Sequence, residues 1–440
     1  MREDIKRRIE QIRRGEVPEG YKKSLDVPIP EDWKVKRLGE ILKIKYGKDQ
    51  KDVEKKDGMY PILATGGVIG RTDRYLYDKP SVLIGRKGTI DRPMYIETPF
   101  WTVDTLFYSI VRDNNSVRFV HYLISSINWK KYSEATTLPS LSSSVIEGIK
   151  AAIPESDEQT KIAEILSTCD RVIELKKKLI EEKKKVKKWF MQTLLTGMIR
   201  VKDIENATPY EELKKRIEQI RSGQVPEGYR KTELGIISHD WEITGLEKIC
   251  KLIIDKRGKT PKKDSSDGDI PGLSAHNVKM GKIDFTFPTT YYSEDVFNRW
   301  MKSEKIERED IIMTTEAPLG NIALVEEARK YILGQRVVAL RLKDSVNSIF
   351  GKHLLMSNIF QRKLQELATG TTAKGLSKRN LKYLKIYIPD TETQEAVSSI
   401  LSSADKEIDL LNKDLEQWEI KKKSLMQLLL TGIVRVSTEN

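Results

Sequence analysis

At 440 residues with 38% apolar content, seven tryptophans and sixteen tyrosines, the chain is too long for one core and too apolar for a disordered polymer, so two or more globular domains are expected. No long apolar run occurs, the first residues (MREDIKRRIEQIRRGE) are charged, and only Cys169 and Cys250 are present; this argues against a membrane span, a secretory leader, a disulfide framework and a four-cysteine zinc site, with a reducing cytoplasm the expected location. The net charge of +13 is unevenly placed: residues 22–153 carry +6 and 244–388 carry +9, while 1–21, 154–243 and 389–440 carry +1, +1 and −4. Excess lysine and arginine confined to two segments points to a polyanionic partner for those segments, since cations there release counterions from nucleic acid.

The first predicted element is an amphipathic helix over 5–14, with Ile9 and Ile12, that ends at Gly15 before a VPEGY turn. KRRIEQIRRGEVPEGY at 6–21 returns as KKRIEQIRSGQVPEGY at 214–229, an offset of 208 that also carries Trp33 onto Trp241 and Leu38 onto Leu246. The first basic insert follows. Short strand-like runs there are broken by polar glycine turns: ATGGVIGRTDRY offers Arg71 and Arg74, and PSVLIGRKGTIDRPMYI turns at Gly85-Arg86-Lys87-Gly88. A hydroxyl-rich loop, TTLPSLSSSVIEGI at 136–149, closes the insert; its position suits phosphate contacts and a capping or hinge role equally.

A long helix is expected next, entered at Pro154 with acidic residues in its first turn and ending at Thr196-Gly197. Its seam is Ile162, Leu166, Cys169, Ile173, Lys176, Ile180, Lys183, Lys187, Phe190 and Leu194; three lysines interrupt it, and Val172, Leu175, Leu179, Val186 and Trp189 offer a neighbouring stripe. The repeated short helix and turn come after it. In the second insert, Lys256, Arg257, Lys259, Lys262 and Lys263 cluster around Thr260-Pro261, followed by LSAHNV with Asn277, MTTEAPLGN with Thr315, and LGQRVVAL with Gln335 and Arg336. The loop TTAKGLSKRNLKYL at 371–384, with Lys374 and Lys378, places Leu376-Ser377 on Leu141-Ser142 at an offset of 235.

The second long helix repeats the first at that same offset: PESDEQTKIAEILSTCD at 154–170 becomes PDTETQEAVSSILSSAD at 389–405, and LLTGMIRV becomes LLTGIVRV at 429–436. Val397, Leu401, Ala404, Ile408, Leu411, Leu415, Trp418, Leu425 and Leu429 form a heptad seam, with Lys422 in its one gap. Two such helices bury their seams most economically against each other, antiparallel about a pseudo-twofold axis; the alternative is that each rests on its own domain. Changing from one offset to the other makes the second insert 27 residues longer than the first, and the inserts share no convincing alignment.

The segmentation is therefore 1–23, a helix and turn near the C-terminal helix; 24–153, a first recognition domain; 154–222, a long helix plus the short one; 223–388, a second recognition domain; and 389–440, the second long helix. The fold class expected is α+β, two globular domains joined by two long antiparallel helices. Catalytic machinery is not evident. Gly258-Lys259-Thr260 has Ile253 where a phosphate-binding loop needs its leading glycine, there is no Asn-Pro-Pro-aromatic or Asp-Pro-Pro-aromatic tetrapeptide, and His121, His239, His276 and His353 lack metal-ligand spacing. Arg, Lys, Asn, Gln and Thr are the side chains that read base edges, which makes Arg71, Arg74, Arg86, Lys87, Lys256, Arg257, Lys259, Thr260, Lys262, Lys263, Asn277, Thr315, Gln335, Arg336, Lys374 and Lys378 the candidate DNA contacts.

The chain resembles the specificity subunit of type I restriction–modification systems over nearly its whole length. The resemblance is carried by the order insert, helix, insert, helix; by Glu158-Gln159 with Leu166 and Asp170; by the two Leu-Leu-Thr-Gly exits; and by Gly258, Thr260-Pro261, Ile312 to Pro318 and Gln335-Arg336. One departure is Thr393-Gln394, where the family often has Glu-Gln. The resemblance implies a non-catalytic chain without a cofactor, recognising a split double-stranded DNA target through two domains spaced by the helices. It also implies two methyltransferase subunits and further motor–nuclease subunits as partners, and no membrane. The alternative function is a stand-alone DNA-binding regulator; a nuclease or methyltransferase in its own right would require turnover by the pure chain.

Overall fold

The computed structural model describes residues 3–24, 27–112, 114–134, 137–262, 268–370 and 374–437. It divides into two compact units, Met1–Lys178 with Asn412–Asn440, and Leu179–Leu411, so that each unit owns one head and a part of both long helices. Among the described residues no helix is long and apolar enough to cross a membrane.

The two heads, unalignable in sequence, share one sheet plan. The first has an antiparallel sheet in the order Leu42–Lys45, Leu106–Val111, Ser81–Gly85, Met94–Ile96. The second runs Cys250–Asp255, Val337–Leu342, Ile311–Thr315, Leu319–Leu324 with the same pairings. Each head adds a three-stranded sheet with one antiparallel and one parallel pair: Gly67–Thr72, Tyr60–Ala64 and Trp101–Thr102 in the first, Tyr291–Tyr292, Ile270–Leu273 and Ile332–Leu333 in the second. The central strands are buried on both faces (Val82, Leu83 and Ile84; Ile311, Ile312 and Met313), so only apolar bulk is required of them, and many sequences meet that requirement.

The long helices span Ser156–Leu194 and Thr391–Leu430. They are antiparallel within each unit. In the first unit Asp170 pairs with Lys422 (2.5 Å), Lys176 with Asp414 and Lys177 with Glu419 (2.8 Å). In the second Lys183 pairs with Glu407 (2.6 Å) and Lys187 with Asp405. The three lysines of the first seam are thus held in place by carboxylates of the facing helix. The neighbouring stripe does not replace them: Leu175, Leu179, Val186 and Trp189 are exposed, which corrects the sequence expectation. The seam ends join the head cores instead, with Ile162, Leu166, Leu429 and Leu430 in the first unit and Leu194, Leu195, Val397 and Leu401 in the second.

Both helices stop at a left-handed glycine. Gly197 (φ +67°) and Gly432 (φ +71°) would each push a Cβ against a tryptophan, Trp241 or Trp33, so the residue must be glycine for its backbone and for its packing. Tyr229 donates its hydroxyl to the Gly197 carbonyl (2.7 Å), and Tyr21 to that of Gly432 (2.6 Å). The N-terminal helix Glu3–Arg13 is tied to the same place, Arg8 donating to the Ile433 carbonyl (2.9 Å).

His353 is completely buried, and burial, reinforced by Lys352, pushes its pKa down to about 3. The unfolded chain, with an ordinary value near 6.5, binds a proton that the folded chain refuses. Stability therefore falls as pH drops from about 6.5 toward 3, by up to about 1.4 kcal/mol per pH unit from this group. His353→Gln should flatten that slope in urea unfolding measured from neutral to mildly acid pH. Parallel slopes for the two proteins would show that the imidazole does not carry it.

Candidate nucleic-acid interface

In each head three backbone segments are laced together at the end of the central sheet, in the same order. In the first, the Arg86 N–H donates to the Thr105 carbonyl (2.8 Å) and the Leu141 N–H donates to the Arg86 carbonyl (2.9 Å). In the second, the Thr315 N–H donates to the Arg336 carbonyl (2.9 Å) and the Leu376 N–H to the Thr315 carbonyl (2.9 Å). The hydroxyl-rich third loops are helix caps: Ser142 accepts from the Val145 N–H (3.4 Å) and Ser377 from the Asn380 N–H (3.0 Å).

On the rim of the second head, residues far apart in sequence meet. Thr260 donates to Gln335 (3.2 Å), Arg336 lies next to it, and Lys374 and Lys378 flank the Leu376 segment. Lys259, Lys262, Arg336, Lys374 and Lys378 are exposed and make no ion pair among the described residues. Beside them lies a cleft of about 530 Å³ lined by Lys259, Thr260, Pro261, Lys262, Arg299 and Trp300.

Four other candidates in this head are committed internally. Arg257 grips Asp255 with Nε and a terminal nitrogen (2.9 and 2.5 Å) and donates to the Leu376 carbonyl. Burial alone would raise the Asp255 pKa, but the Arg257 hydrogen bonds and charge hold it below the usual range. Lys256 pairs with Glu304 (2.6 Å). Asn277, 1% exposed, binds Ser274 and Thr289, and Thr315 is buried in its strand; neither side chain reaches the rim. Lys263 lies outside the described residues.

In the first head Arg86 donates to the Asp104 carbonyl (3.2 Å) and lies over the Tyr46 ring, 5.3 Å from its centre. Tyr46 is half exposed and within 3.3 Å of the Ser143 hydroxyl. Sequence reasoning missed it, because nothing local marks a tyrosine as the platform for an arginine forty residues on. Lys87 is exposed on the turn, beside a cleft of about 570 Å³ lined by Gly88, Thr89, Ile90, Asp91, Arg92, Lys130, Ser133 and Pro139. Arg71 and Arg74 belong to a different sheet and its exit; Arg71 spends its guanidinium on the Gly58 and Met59 carbonyls (3.1 and 3.2 Å).

Burial raises the Cys250 thiol to about 12, so it stays protonated and unreactive. Among the described residues no group of histidine, cysteine, aspartate or glutamate is arranged to hold a metal ion.

Comparison with known proteins gives one consistent result. The family model described as "Type I restriction modification DNA specificity domain" matches residues 30–185 and 238–419. The MjaVIII specificity subunit of Methanocaldococcus jannaschii is 28% identical, over 96% of this chain and 97% of its own. The EcoDI specificity subunit of Escherichia coli is 29% identical over 38% of each chain. Among solved structures, the type I restriction–modification S subunit of M. genitalium superposes with a TM-score of 0.57 at 16% identity, covering 93% of this chain and 97% of that one.

Proposed function

Because the chain belongs to the type I restriction–modification DNA specificity family, whose members are recognition subunits rather than enzymes, we propose that its two heads read the two halves of a split duplex target. The observation that carries this reading is the repeated three-segment lacing with unlike side chains on it. Arg86 and Lys87 stand on the middle segment of one head, whereas Gln335 and Arg336 stand at the first segment of the other. One backbone scaffold bearing different donors is suited to presenting different hydrogen-bond patterns to the major groove.

The repeated frame offers the same surface twice, the natural arrangement for two copies of one partner, and we assign that partner as a methyltransferase subunit, with motor–nuclease subunits joining the full complex.

Replacing Gln335 and Arg336 by alanine should weaken recognition of one half-site by about 10- to 100-fold and leave the other unchanged, as loss of base contacts does. Replacing Arg86 and Lys87 should do the same to the opposite half. Binding to duplexes altered in one half at a time, with the methyltransferase present, is the measurement. Equal losses on both halves would reduce these residues to phosphate contacts and sink the assignment.

A further inference from the structure

We propose that a glutamine and an aspartate eleven residues apart on each long helix form a two-point clamp that fixes how each head sits on its helix, making Gln159 and Asp170, and likewise Gln394 and Asp405, positioning residues for the spacing between half-sites. The proposal rests on the two-half-site reading.

The first point is at the glutamine. Gln159 accepts from the Ser116 N–H (3.0 Å), and Ser116 is the N-cap of the head helix Val117–Ser126. Gln394 accepts from the Asn347 N–H (2.9 Å), and Asn347 caps the head helix Ser348–Met356. Each glutamine also donates to the proline carbonyl that starts its own helix, Pro154 (3.0 Å) or Pro389 (2.9 Å). The amide is therefore oriented from both ends. This explains why glutamine is kept in both copies while its neighbour changes from Glu158 to Thr393.

The second point is at the aspartate. Six residues beyond its cap the first head helix presents Tyr122, and five beyond its cap the second presents Lys352. Tyr122 donates its hydroxyl to Asp170 (2.6 Å), and Lys352 Nζ lies 3.7 Å from Asp405, while the uncharged His353 beside it makes no hydrogen bond to that carboxylate. Each aspartate also holds a lysine of the other long helix, Lys422 for Asp170 and Lys187 for Asp405. One carboxylate thus joins a head helix and both long helices. The two heads reach their aspartates from neighbouring positions and through different chemistry, a hydroxyl in one and an ammonium in the other, so the geometry is retained although the bond is not.

Eleven residues are close to three helical turns, so both contacts share a face and lie about 16 Å apart. Apolar packing of Ile162 and Leu166, or of Val397 and Leu401, against the head core holds the head on its helix without directional bonds. Two directional contacts at that separation leave only rotation about the line joining them, which that packing opposes.

The test uses the full chain with its methyltransferase partner and duplexes whose gap is the preferred length or one base pair longer or shorter. Asp170→Ala and Asp405→Ala should each lower the preference for the correct gap by about fivefold or more, a change of the size that elastic distortion of DNA can supply, while the base preference of each half stays as it was. Tyr122→Phe removes only the hydroxyl contact and should lower the same ratio, which keeps the proposal testable where an alanine variant fails to fold. An unchanged ratio, even with lower affinity or thermal stability, would overturn the clamp. No gap preference in the unmodified protein would instead remove the two-half-site reading, and the clamp with it.

Discussion

Deleting one heptad from each long helix, residues 177–183 together with the facing 407–413, should shorten the preferred gap between half-sites by about three base pairs. Seven residues rise about 10.5 Å at 1.5 Å each, and duplex DNA rises about 3.4 Å per base pair. A heptad is the right unit because it is close to two full turns, so the cut ends rejoin with their seam still facing the other helix. The ion pairs on either side fix where the cut belongs: Lys176 faces Asp414 and Lys187 faces Asp405, and the pair Lys183–Glu407 between them is removed whole. Three base pairs also turn the duplex by more than a quarter of a revolution, so the original site should bind about 100-fold more weakly, each half keeping its sequence. Retention of the original gap would show that the helices do not set the spacing.

The second large effect is on folding. Arg435→Ala should destabilise the first unit by about 3 kcal/mol, because it strands a buried carboxylate. Glu158 is 4% exposed and accepts from Arg435 Nε (2.7 Å), from a second Arg435 nitrogen (2.9 Å) and from Trp33 Nε1 (2.9 Å). Arg435 reaches Asp32 as well, and these carboxylates raise its own pKa despite burial. At 2–4 °C per kcal/mol for a unit of this size, the melting temperature should fall by about 6–12 °C. The equivalent Arg200→Ala should cost less. Thr393 stands where Glu158 would be, and Asp203, 3.5 Å from Arg200, keeps Arg216 at 2.5 Å. Pairing Arg435→Ala with Glu158→Gln should recover part of the loss, since no charge is then left buried. Calorimetry showing equal effects of the two arginines would refute this account.

The frame was legible in the sequence because its signals are local and repeated. Proline entries, Thr-Gly exits, a 3.5-residue seam and paired VPEGY turns each announce themselves within a few residues. The common plan of the heads was not legible. Strand order depends on which distant segments pair, and Val82–Ile84 and Ile311–Met313 need only be apolar, so no alignment survives between them. The role of Lys176, Lys183 and Lys187 was hidden for the same reason: their partners lie more than two hundred residues away. At the interface, composition located the rims but could not sort them. Arg257 and Arg336 look alike in sequence, yet one is locked to Asp255 and the other is exposed; Asn277, chosen as a reader, instead fills its own loop.

The most direct test of the account is selection of binding sites from random duplexes by the full chain with its methyltransferase partner. Two unlike blocks of specified bases, separated by a fixed number of unspecified ones, are the predicted outcome. A single continuous block, or two blocks at freely varying distance, would contradict it.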